Sequence, residues 1–177
     1  MKRIIFCILL LGLSACDGNS EFLTSVAQGK SDETQRHVET GQNVNETNNY
    51  GWTALMFAAR NGDASMIDYL VKHGAELDAA DHAGWTALIR AAKEGHLAAV
   101  RKLIDLGANM ESATKKGWTP LLWATLQGHT EVVDLLVKRG ANLQAKTEDG
   151  RLPLMIAITE EHNDILQVLQ DAGAKAW

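Results

Sequence analysis

Gly84-Trp85-Thr86-Ala87-Leu88-Ile89-Arg90-Ala91-Ala92 is the stretch that decides the fold. It returns as Gly51-Trp52-Thr53-Ala54-Leu55 and as Gly117-Trp118-Thr119-Pro120-Leu121, and in a worn form as Gly150-Arg151-Leu152-Pro153-Leu154. The glycines stand at 51, 84, 117 and 150, so the interval is 33 residues each time. Self-similarity at one fixed period of this length is the signature of a stacked repeat protein, in which no unit buries its apolar face alone.

Outward from that stretch, each unit reads alike. Thr53, Thr86 and Thr119 precede short runs with apolar residues at helical spacing, where the hydroxyl can cap a helix N-terminus. Pro120 directly after Thr119 takes the first helical position, where a missing N–H costs little. These helices end near Gly62, Gly95 and Gly128, and second helices are expected over 65–73, 97–106 and 131–139. Gly74, Gly107, Gly140 and Gly173 follow, placed to close each second helix in the left-handed conformation. Polar stretches such as 78–83 lead back to the next glycine as extended turns.

Gly-x-Thr-Pro/Ala-Leu, then Ala-Ala, Gly-His and Gly-Ala-Asn resemble the ankyrin repeat, strongly over 51–174 and weakly over 19–50. The resemblance implies an all-α solenoid of helix-turn-helix units joined by hairpin-like loops on one side. It gives four repeats (51–83, 84–116, 117–149, 150–177) within a domain of 21–177, preceded by a degenerate capping repeat over 21–50. In that cap Gly29 and Gly41 lie 33 before Gly62 and Gly74, and the second helix, over 32–40, is nearly all polar, as a terminal unit requires. There are departures. The family's histidine after Pro-Leu is replaced by Met56, Ile89, Leu122 and Met155, so apolar packing must tie those units together. In the last repeat Arg151 replaces tryptophan, Leu152 the capping threonine and Glu161 the turn glycine.

The N-terminus is organised differently. Met1-Lys2-Arg3 is a charged head, Ile4 to Leu13 is apolar apart from Gly12, and Ser14-Ala15 are small. This reads as a secretory signal over 1–15, too short for the roughly 20 apolar residues of a membrane span. Leu13-Ser14-Ala15-Cys16 is similar to the lipobox of bacterial lipoproteins, which implies cleavage before Cys16 and a lipid on it, with 16–20 a short linker. Cys7 would leave with the signal, so no internal disulfide is expected. Loss of Lys2 and Arg3 takes the formal charge from −5 to −7. Asp17 after the cysteine favours the inner over the outer membrane, on the periplasmic side.

An acidic chain of this kind does not suit a phosphate-rich partner, and no nucleic-acid, metal or cofactor site is expected. Gly-x-Ser-x-Gly, phosphate-loop and His-Glu-x-x-His motifs are absent from the sequence, so no enzyme is expected. His96, His129 and His162 recur every 33 residues, but repeats stand roughly 10 Å apart and one zinc needs ligands within about 2.1 Å, so a structural role is expected. The expected function is protein binding, as a scaffold or helper of a periplasmic protein. The alternatives are an inhibitor or immunity-type protein for a toxin or hydrolase, and a sugar or cell-wall binder using stacked indoles.

Candidate contact residues follow from the resemblance. Trp52, Trp85 and Trp118 fall one per repeat on the loop-side surface, where indoles either contact a partner or pack between repeats. Trp123 is expected to stand apart, inside a first helix. Further candidates are Asn49, Tyr50, Arg60 and Asn61 in the first full repeat, His82, Lys93 and Glu94 in the second, and Lys115, Lys116, Leu126 and Gln127 in the third. Their charges are mixed and do not set the sign of a partner.

Overall fold

The computed structural model describes residues 17–175; the apolar run, the lipobox and Cys16 lie outside the described residues. Among these there are ten helices and no strand, paired into five stacked units. The capping unit holds α1 (Glu21–Ala27) and α2 (Ser31–Glu39). The four repeats hold α3 (Ala54–Asn61) with α4 (Ala64–Lys72), α5 (Ala87–Lys93) with α6 (Leu97–Asp105), α7 (Pro120–Leu126) with α8 (Thr130–Lys138), and α9 (Pro153–Thr159) with α10 (Asn163–Asp171). First helices pack on first helices of adjacent units, and from α4 onward second helices pack on second helices. None of the described helices is long and apolar enough to cross a membrane.

The expected caps form. The N–H groups of Met56, Ile89 and Leu122 donate to Thr53, Thr86 and Thr119 Oγ1 at 3.3, 3.4 and 3.4 Å. Leu152 makes no such bond, so α9 starts uncapped. The core runs as one column through the stack, with Phe22, Leu55, Leu88, Leu121 and Leu154 as successive first-helix members. Met56, Ile89 and Leu122 are fully buried, which bears out apolar packing where the family has histidine. Met155 is 39% exposed, since among the described residues no repeat lies over it.

The histidine row staples neighbouring repeats. His96, His129 and His162 begin the second helices, and their Nε2–H groups donate to the carbonyls of Arg60, Lys93 and Leu126 one repeat back, at 2.9, 2.9 and 3.3 Å. Asp63 holds that place in the first full repeat, and there Asn61 Nδ2 reaches back to the Val26 carbonyl at 3.0 Å. The row has an architectural use in every copy.

Residues 17–20, where the sequence suggests linker, dock on this frame. The Asn49 N–H donates to Asp17 O at 3.1 Å, Asn48 Nδ2 to Asn19 Oδ1 at 2.8 Å, and Ser20 caps α1.

Candidate binding surface

The loops between repeats are tight turns closed by a four-residue signature. The N–H groups of Gly51, Gly84, Gly117 and Gly150 donate to the carbonyls of Asn48, Asp81, Thr114 and Thr147 at 2.8–2.9 Å. The same four residues lock the turn with their side chains: Asp81 Oδ1, for one, accepts from Ala83 N and Trp85 N at 2.8 and 2.9 Å. Successive turns then join edge to edge. His82 N donates to Tyr50 O, Lys115 N to Ala83 O and Glu148 N to Lys116 O, at 3.1, 3.0 and 2.9 Å. A rigid ladder therefore carries the turn tips in register.

Behind the ladder runs a column of flat side chains. Phe57, Arg90 and Trp123 lie one turn into their first helices and swing back beside Trp52, Trp85 and Trp118, the residues that precede the capping threonines. Arg90 places its guanidinium 3.3 Å from the Trp52 ring centre and 5.1 Å from that of Trp85. Trp123 stacks between Trp85 and Trp118 at centroid distances of 4.9 and 4.7 Å. Ile156 packs on Trp118, and the Arg151 guanidinium lies 4.9 Å from the same ring. The expectation that Trp123 stands apart is thus corrected: its helix begins only at Pro120, and the first turn returns the ring to the tryptophan row.

Arg90 is the polar member of this column and was not singled out by the sequence. It is 8% exposed and ion-paired through Nη2 to the buried Asp81 Oδ2. Burial pulls the guanidinium down to about 10, against the pull of the Asp81 carboxylate, so it stays charged at neutral pH. Its Nε is buried with no hydrogen-bond partner.

The candidates therefore divide. Trp118 is 8% exposed and packed against Trp123 and Ile156, while Trp52 and Trp85 are half-buried with faces taken by Arg90, Phe57 and Trp123. Asn61 is spent on the staple to the capping unit, and Lys93 pairs with Glu94 at 3.1 Å. Leu126 is half-buried and gives its carbonyl to His162. Asn49, Tyr50, His82, Lys115 and Lys116 stand exposed on the turn tips, and Arg60 and Gln127 at the ends of first helices.

Tyr50, Arg60 and His82 converge with Asp17, Trp52, Trp85 and Arg90 on one cleft of about 610 Å³ between the first two turns. A smaller cleft of about 470 Å³ lies between the last two, lined by Lys116, Trp118, Glu148, Asp149 and Arg151. Among the described residues no group of His, Cys, Asp and Glu is placed to hold a metal ion.

The family model described as "Ankyrin repeats (3 copies)" matches residues 11–114 and 106–177. No curated protein matches the chain.

Proposed function

The chain belongs to the ankyrin-repeat family, whose units are protein-interaction modules, and on that footing we propose that it is a non-catalytic scaffold or helper anchored at the periplasmic face of a bacterial membrane. The observation that carries the binding surface is the ladder of turns, which holds Tyr50, His82, Lys115 and Lys116 exposed and in register. A preformed array of this kind loses little conformational entropy when it docks. The anchor rests on the Ile4–Leu13 run and on Leu13-Ser14-Ala15-Cys16. Asp17 already pairs with the ladder, so a lipid on Cys16 would hold the first turn and its cleft next to the bilayer. Asp17 also favours the inner membrane.

Occupied indole faces argue against a sugar binder, because stacking on a sugar ring needs an open aromatic face. Crosslinking in membranes of the source bacterium, followed by identification of the captured protein, tests the proposal. A discrete partner lost with the exposed-tip variant Tyr50→Ala/Lys115→Ala is expected; capture unaffected by it removes the assigned surface. A captured hydrolase whose activity the chain blocks would make the protein an inhibitor. Cys16→Ser is expected to release the protein from membranes, and a variant that stays with them removes the anchor.

A further inference from the structure

The cleft between the first two turns has a chemistry of its own. Tyr50 is 53% exposed, and with Trp52 and Trp85 it walls the cleft with aromatic surface. Among the described residues the Arg60 side chain forms no ion pair and no hydrogen bond; its guanidinium stands 5.6 Å from the Trp52 ring centre. Arg90, on the same lining, is more than nine-tenths buried and leaves Nε without a partner. Asp81 pairs with Arg90, and among the described residues no carboxylate, Asp17 included, lies within ion-pairing distance of Arg60. The mutual repulsion of the two cations adds to the burial that lowers the affinity of Arg90 for its proton. A cationic group flanked by aromatic walls, partly shielded from water, attracts an anion more strongly than the same group on an open surface.

We propose that this cleft is the anchor pocket for a carboxylate of the protein partner, held by Arg60 with the Trp52–Arg90 pair behind it. This rests on the protein-binding function proposed above. An acidic side chain and a chain-terminal carboxylate share the chemistry. A recess between adjacent turns admits a side chain or a chain end; a flat layer of lipid headgroups does not reach its floor. Asp17 is the one lining carboxylate without an ion pair among the described residues, and it sets the sign of the test.

Two random peptide libraries, one displayed with both peptide ends blocked by the carrier and one with a free C-terminus, are selected against the full chain. Enrichment of Asp or Glu at one position of the first library supports a side-chain carboxylate. Enrichment confined to the second supports a chain terminus. In either case Arg60→Ala is expected to weaken the selected peptide roughly tenfold, as loss of a charged hydrogen-bonding partner does. Lys138→Ala, on the far helix, is expected to leave it unchanged. Asp17→Asn is expected not to weaken binding; if it does, the cleft takes a cation and the proposal is overturned. Peptides indifferent to Arg60→Ala, or basic consensus sequences, overturn the carboxylate while leaving the protein-binding function intact. No enriched peptide in either library, or Arg60-dependent adsorption to phosphatidylglycerol vesicles in place of peptide binding, also overturns it. The protein-binding function is decided separately by crosslinking.

Discussion

Arg90 occupies the place held by Phe57, Trp123 and Ile156 in the other repeats, so a charged group does the work of an apolar or aromatic one. It works because the planar guanidinium stacks like a ring and Asp81 neutralises it from a turn that the same carboxylate also locks. Removing the cation strands that carboxylate in the interior. Arg90→Ala is expected to cost about 3 kcal/mol in urea unfolding, the scale for breaking a buried pair. Asp81→Asn keeps the turn, which Asn48 closes with the same amide oxygen, but it leaves the Arg90 cation unpaired in the interior, so it should also cost about 3 kcal/mol; a much smaller loss would show that Asp81 matters for the turn and not for the charge. The tryptophan period was legible in the sequence, but its partners were not. They recur at the same 33-residue interval, yet four chemically unlike side chains at 57, 90, 123 and 156 carry no common residue type to reveal a shared position. The cleft stayed hidden for a related reason: Arg60 and Tyr50 gain meaning only from what the ladder places beside them.

Helices and turns were read more fully, since caps and glycines act locally. Gly95 and Gly107 both sit at positive φ, 77° and 97°, where any L residue is strained. They differ in surroundings. A Cβ on Gly95 would stand 2.5 Å from His129 Nδ1 and displace the staple, whereas one on Gly107 meets nothing within 4 Å. Gly107→Ala is expected to cost about 1 kcal/mol and Gly95→Ala about 2 to 3 kcal/mol, read from denaturant midpoints. Glu161 explains itself in the same terms. It takes the place of Gly62, Gly95 and Gly128 at φ 58°, and among the described residues no histidine of a next repeat stands against its Cβ as His96, His129 and His162 stand against those glycines. Glu161→Gly should therefore stabilise by about 1 kcal/mol through backbone strain alone; destabilisation would mean that its side chain contributes to the cap. Between second helices, Asp68 joins Lys72 of its own α4 at 2.6 Å to Lys102 of α6 at 3.2 Å. The hydrogen bond from Lys72, then that from Lys102, hold its carboxyl below the ordinary 3.8. A depressed carboxylate stabilises the fold above its unfolded value and stops doing so as pH falls through its folded value. The advantage of the native chain over Asp68→Asn should thus be present at neutral pH and fade below about pH 4; an advantage that survives at pH 2 would rule the ion pairs out as its source.

Across the described residues each unit packs mainly on its neighbours, so stability is close to a sum of unit and interface contributions and must weaken where an interface is missing. The two ends meet this differently. The capping unit is polar outward, as its sequence suggested, and buries Phe22 and Leu23 inward. The far end still shows apolar residues at positions that earlier repeats bury: Met155 and Ile158 are 39% and 53% exposed, while Met56, Ala59, Ile89 and Ala92 are buried. Equivalent substitutions should consequently have unequal consequences. Leu88 is enclosed by units on both sides, and Leu154 by one. Leu88→Ala is expected to cost about 3 to 4 kcal/mol and to speed amide exchange throughout the stack, because it weakens two interfaces at its centre. Leu154→Ala is expected to cost about 2 kcal/mol, with faster exchange confined to α9 and α10 and the amides of α3 to α6 unchanged. Protection lost uniformly in both variants would mean that the stack unfolds as one cooperative body. The first cleft would then share its stability with the distant end, and would not depend mainly on the capping unit and the first two repeats.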